Sequence, residues 1–124
     1  MHFITGDAFR LRESVHDTLY DVVFHQGLLE HFSDAEIAKL LEQQLEIVPV
    51  IVFSVPTPEY EKQDLGNERL IPPSSWLDIL QRYGFHVIEH CSYLGVVRRP
   101  RVPTTLGHVR LCHLAFMAKL MCRK

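Results

Sequence analysis

Apolar positions along the chain follow two periods. Short runs rich in β-branched and aromatic residues read as strands, and longer segments with apolar residues three and four apart read as helices. His2 to Thr5 is the first short run, ended by Gly6-Asp7. The polar stretch Arg10 to Thr18 reads as a loop or a single helical turn. Tyr20-Asp21-Val22-Val23-Phe24 is the second strand. Ser33-Asp34-Ala35-Glu36 then has the S-x-x-E spacing of a capping box, with acids in the first turn where the helix dipole favours them. The helix that follows puts Ile37, Leu40, Leu41, Leu45 and Val48 on one face, and Pro49 stops it.

Val50-Ile51-Val52-Phe53-Ser54-Val55 is a continuous apolar run of strand length, the pattern of a strand covered on both faces in a parallel sheet. Pro56 to Pro73 is a long polar loop, a kind that in compact domains is usually functional or mobile. Ser74-Ser75 caps a second helix with Trp76, Ile79, Leu80 and Tyr83 on one face, and Gly84 suits the position just past its end. Phe85 to Tyr93 is a fourth strand and Gly95 to Gly107 a loop. From His108 the chain is apolar on every face, and a helical turn followed by a closing strand near Ala115 to Arg123 is expected. Alternating strands and helices of this kind predict an α/β sheet with crossover helices and mostly parallel strands.

The length of 124 residues predicts one domain, and 47% hydrophobic with 23% charged residues is enough for a core. A net charge of −2 gives no electrostatic reason to expect nucleic acid as partner. The basic cluster Arg98-Arg99-Pro100-Arg101 is short and reads as a solvated loop rather than a phosphate-binding patch. Cys91, Cys112 and Cys122 have no CxxC spacing, so free thiols in a reducing compartment are expected. The N-terminus has neither the basic region nor the apolar run of a signal peptide, and no stretch approaches the ~18 apolar residues of a membrane span. The expected location is the cytoplasm. His86 and His90 on one strand face, and His108, Cys112 and His113 close together, invite a metal reading. They lack the paired-ligand spacing of a zinc site, and no metal is expected.

Taken in order, several blocks resemble class I (Rossmann-like) S-adenosylmethionine-dependent methyltransferases along nearly the whole chain. Ile4-Thr5-Gly6-Asp7-Ala8-Phe9 looks like the family's strand and acidic loop. By that resemblance Asp7 accepts from the exocyclic amine of the cofactor's adenine, and the Ala8 amide reaches a ring nitrogen. On the dipeptide alone, Gly6-Asp7 reads as a turn. The block from Tyr20 through His25-Gln26-Gly27 to Leu29-Glu30-His31-Phe32 resembles the family's "FD-strand-LEH" signature, which implies that His25, Gln26 and Gly27 line the floor beneath the methionine moiety. Glu30 and His31 could otherwise be polar residues at a helix start. Gly66-Asn67-Glu68-Arg69-Leu70, leading to Trp76 and Gly84-Phe85, is similar to the family's "W…L…GF" segment. In relatives the loop before it closes over substrate, which makes Glu59, Tyr60, Asn67 and Arg69 candidate substrate contacts. A solvated loop is the plain alternative.

The resemblance implies methyl transfer from S-adenosylmethionine to a small-molecule acceptor. Such chemistry needs alignment more than side-chain catalysis, and a base only if the acceptor loses a proton in the slow step. His25 and His31 are the candidate bases. The sequence also departs from the family. Its glycines stand singly at 6, 27, 66, 84, 95 and 107, so there is no GxGxG loop to let the backbone approach the cofactor, and the acid that would hold the ribose is missing. The expectation is a single partial domain over 1–124, lacking the N-terminal glycine-rich strand-loop-helix. An incomplete sheet would be completed by that missing segment or by a second copy in a homodimer. The competing reading is a non-catalytic interaction or oligomerising module.

Overall fold

The structure is a computed structural model that describes residues 1–15, 20–58, 66–101 and 105–119, with the backbone alone from 91 onward. Four strands, β1 (Val22–Gln26), β2 (Val50–Pro56), β3 (His86–Arg101) and β4 (Thr105–Lys119), form one sheet in the order β1-β2-β4-β3. β1 and β2 are parallel, with Val22 opposite Val50 and Gln26 opposite Ser54. β4 enters antiparallel between β2 and β3. Three strands therefore share one direction and β4 alone opposes them. The expected majority of parallel strands holds in direction, although only the β1–β2 pairing is itself parallel.

Two helices cover one face. α2 (Asp34–Leu45) starts where its capping box predicts, with the Glu36 N–H donating to Ser33 Oγ at 3.3 Å. It ends at Leu45, before Val48, because the residues leading into Pro49 are steered out of the helical region. α3 (Pro73–Arg82) begins on Pro73 with Pro72 as N-cap, so Ser74 and Ser75 lie in its first turn rather than capping it. Proline's fixed φ and missing N–H suit that first position. Its far end closes as expected on Gly84 at φ 82, with Gly84 N–H donating to Gln81 O and Phe85 N–H to Leu80 O. Leu29, Ile37, Leu40, Leu41, Ile51, Phe53, Val55, Trp76 and Leu80 are fully buried between helices and sheet.

Three local expectations are corrected. Residues 2–5 form no strand; Phe3 and Ile4 are exposed at 89% and 59% and take no place beside β1. The loop expected over Gly95 to Gly107 is largely strand, because β3 runs to Arg101 and pairs with β4 from Thr105. Pro100 is tolerated since β3 is the sheet's edge, where a missing N–H costs nothing on the outer side. The helical turn expected from His108 is part of β4, while the short turn expected within 10–18 is present as α1 (Leu11–Ser14).

Candidate functional site

Because β1 and β2 are parallel, their carboxyl ends lie side by side, where an open α/β sheet carries its ligands. The Gly27 N–H continues the ladder by donating to Ser54 O at 3.1 Å. Gly27 then turns the chain at φ 65, with Glu30 Oε1 3.4 Å from where a Cβ would stand. A 3-10 turn, Leu29–His31, leads into α2.

Two other segments close on this turn. Gly66–Ile71 lies against it through the Arg69 N–H, which donates to Glu30 O at 2.8 Å, and through His31 Nδ1, 2.8 Å from Asn67 Oδ1. The Arg69 guanidinium donates to Phe32 O at 2.5 Å and to Asp34 Oδ1 at 2.6 Å, and Arg82 also reaches Asp34. Those two cations hold the Asp34 carboxyl below the usual carboxylate range, the Arg69 hydrogen bond foremost. On the N-terminal side the Phe9 ring meets Phe32 edge to face at 5.4 Å.

The N-terminal segment forms a small cavity of about 210 Å³ lined by Ile4, Gly6, Asp7, Ala8, Leu11, Ser14 and Val15. Gly6 lets this segment approach Ser14 closely, since a Cβ would stand 2.0 Å from Ser14 Oγ and 2.8 Å from its Cβ. Asp7 caps a 3-10 turn, Ala8–Arg10, by accepting the Phe9 N–H at 2.9 Å through Oδ1. The turn reading of Gly6-Asp7 therefore describes one carboxylate oxygen, and Oδ2 is the oxygen left to accept from a ligand.

The candidate site residues divide. Asp7 and Ala8 share the cavity. Gln26 and Gly27 lie at the carboxyl end of β1, and His31 and Asn67 are joined directly. His25 points into the helix-covered face, stacked on Phe53 at 5.5 Å with Nε2 3.2 Å from Gln44 Oε1. Burial pushes its pKa down to about 4, against the smaller opposing effect of the Gln44 bond. Nδ1 of His25 is buried without a hydrogen-bond partner. Arg69 spends its guanidinium on Phe32 and Asp34, which makes it a clasp between segments. Glu59 and Tyr60 lie outside the described residues.

Sequence reasoning did not anticipate the burial of Glu30 and Glu68, exposed only 3% and 9%. Burial raises the Glu30 carboxyl above its ordinary range, with the nearby Glu68 adding to it, and Glu30 Oε2 has no hydrogen-bond partner. A polar pair following the apolar Leu28-Leu29 was the one local hint. Among the described residues no three His, Cys, Asp or Glu side chains gather as a metal site, and no helix is long and apolar enough to cross a membrane.

S-adenosylmethionine can be tested against this geometry. A cavity of about 210 Å³ falls below the ~300–1,000 Å³ of sites that enclose a whole drug-sized ligand, so it has room for one ring system. Its apolar walls and single carboxylate suit a purine with an exocyclic amine. Among the described residues the fit is to the adenine end of the cofactor.

No family profile matches the chain, and no curated protein matches it. Solved structures do match. A candidate methyltransferase of Bacillus halodurans C-125 superposes over 92% of this chain and 69% of its own, with a TM-score of 0.62 and 14% identity. A candidate O-methyltransferase of Nostoc punctiforme PCC 73102 covers 96% of this chain and 36% of its own, at TM-score 0.56 and 18% identity. Magnesium protoporphyrin IX methyltransferase of Synechocystis PCC 6803, solved with bound SAH, covers 92% and 48%, at TM-score 0.54 and 11% identity. The chain thus spans about half or less of the length of the latter two. At these identities the likeness is one of architecture: the chain has the Rossmann-like fold of S-adenosylmethionine-dependent methyltransferases.

Proposed function

We propose that this chain is the adenine-side part of a cytoplasmic methyltransferase domain that moves a methyl group from S-adenosylmethionine to a small-molecule acceptor. The observation that carries this reading is the meeting of the Gly27–Phe32 turn with Gly66–Ile71 at the carboxyl ends of two parallel strands, with the N-terminal segment that bears the Asp7–Ala8 cavity joined to that turn through the Phe9 and Phe32 rings. Asp7 Oδ2 would accept from the adenine amine and the Ala8 amide would meet the ring. Gln26 and Gly27 would form the floor beyond it, where the positive φ of Gly27 keeps the surface free of a side chain. When bound, the cofactor supplies a methyl group already activated on a sulfonium. The protein's part is then to hold the acceptor in line and to take its proton. His31, 18% exposed at the mouth of the turn, is the candidate proton acceptor. His25, neutral and packed under α2, fits the site's floor better as a support than as a base.

With only the adenine end provided for, binding should be weak. Calorimetry of S-adenosylmethionine into the chain should give a dissociation constant weaker than micromolar, that is, less than about 8 kcal/mol of binding free energy. Tight, micromolar binding would contradict a half site. Asp7→Ala should weaken whatever binding is seen by roughly 1–3 kcal/mol, the usual cost of an unpaired donor.

A second reading has its own observation. β1 is an edge strand whose outward residues Val22 and Phe24 are exposed at 50% and 67%, so the sheet offers a template for another strand. On that reading the chain acts by association, through a second copy or a further segment that completes the domain, and catalysis belongs to the assembly.

A further inference from the structure

The geometry points to Asn67 as a positioning residue: its side-chain oxygen holds His31 as the Nδ1–H tautomer and leaves Nε2 as the basic nitrogen at the mouth of the turn. This rests on the reading of His31 as proton acceptor, and it turns a candidate substrate contact into a support for that acceptor. Three observations carry it.

First, Nδ1 of His31 lies 2.8 Å from Asn67 Oδ1, so the ring nitrogen donates and the amide oxygen accepts. A neutral imidazole has one donor and one acceptor nitrogen, and fixing the donor fixes the acceptor. Second, Asn67 is itself held in place. The backbone two residues on is pinned where the Arg69 N–H meets Glu30 O, and the Arg69 guanidinium grips Phe32 O and Asp34 on the far side of His31. The bond therefore joins two segments that are already clasped rather than a free loop and a free ring. Third, Nε2 lies 3.7 Å from Glu30 Oε1, too far for a hydrogen bond, so Glu30 does not tie up the nitrogen that Asn67 leaves basic. Glu30 is fixed in turn by its burial beneath Gly27.

The step this serves is a proton transfer from an acceptor that bears a hydrogen on oxygen or nitrogen. The acceptor's X–H bond breaks, its electron pair stays on X, and the proton forms the Nε2–H bond. The imidazolium keeps its Nδ1–H on Asn67 throughout. An acceptor without such a hydrogen would gain nothing from this arrangement, so the inference also narrows the substrate to alcohols, phenols or amines.

The test needs no cofactor or substrate, so it stands apart from the methyl-transfer reading. Nitrogen-15 NMR of the His31 ring in the full chain, at a pH where the ring is neutral, reports which nitrogen carries the proton. The expected result is proton on Nδ1 and the downfield shift of an unprotonated nitrogen on Nε2. Asn67→Ala should shift the population several-fold toward the Nε2–H form, and Asn67→Asp, which still accepts, should restore the original tautomer. A purely packing role for Asn67 would leave the tautomer unmoved. A proton found on Nε2 in the parent chain, or a tautomer unchanged in Asn67→Ala, would overturn the assignment.

Discussion

Glu30 puts a carboxyl group where its charge is poorly tolerated, and the consequence can be measured as pH-dependent stability. Burial raises its pKa, so the folded chain keeps a proton that the unfolded chain releases. Glu30 therefore withdraws stability as pH rises through its folded pKa and withdraws none below the ordinary carboxylate value near ~4.3. Glu30→Gln, which keeps the shape without the charge, should raise the denaturation free energy at about pH 8 by on the order of 1 kcal/mol, with the gain fading toward about pH 4. His25 has the opposite protonation balance but loses stability at the other end of the range. Its pKa is lowered to about 4, so between that and the ordinary histidine value the unfolded chain binds the proton, and stability falls as pH drops through the window. His25→Phe, which preserves the stack on Phe53, should flatten roughly 1–3 kcal/mol of that acid slope, at a pH-independent cost from the orphaned Gln44. Urea titrations across the pH range check both. A mutant slope equal to the parent's would show that the residue concerned is solvated in the fold.

Among the elements, those whose signal is local were legible in the sequence. The Ser33–Glu36 capping box, the apolar face of α2, the buried run of β2 and the Gly84 terminus of α3 each depend on residues within one or two turns, and each appears in the fold. The two outer stretches of β3 and β4 were legible as strands near Phe85–Tyr93 and Ala115–Arg123, but their extension was not, because Gly95, Pro100 and Gly107 read as loop punctuation and only the pairing between β3 and β4 makes strand of them. The N-terminal run failed for the converse reason: its pattern is strand-like, but no partner strand takes it up. Of the candidate site residues, Asp7 and Ala8 line one cavity and His31 meets Asn67, whereas the clasp made by Arg69 was not legible, since its partners are about thirty-five residues distant. Arg69→Ala should cost about 1–2 kcal/mol, with exposure of the guanidinium keeping the loss below that of a buried pair. It should also loosen 66–71 from the turn. Arg69→Lys should recover little of it, because one ammonium cannot serve Phe32 O and Asp34 in the same geometry. Thermal unfolding of the two variants decides this, and a fully stable Arg69→Ala would mean that the segments meet without the clasp.

For the whole molecule, the open side of β1 sets the behaviour in solution. Val22 and Phe24 face outward on a strand paired only on its β2 side among the described residues. The chain should therefore run as a dimer by light scattering at low micromolar concentration, and Phe24→Lys should return it to monomer, since an edge charge blocks strand addition. A monodisperse parent monomer that binds no hydrophobic dye would remove both the dimer and the open edge. The larger claim is that the Asp7–Ala8 cavity and the Gly27–Phe32 turn, joined through the Phe9 and Phe32 rings, build the adenine side of an S-adenosylmethionine site. An amide NMR titration with S-adenosylmethionine tests this most directly. Shift changes are expected over Gly6–Val15, extending to Gln26–His31, even if saturation needs millimolar ligand. No change there, or changes confined to α3, would contradict it.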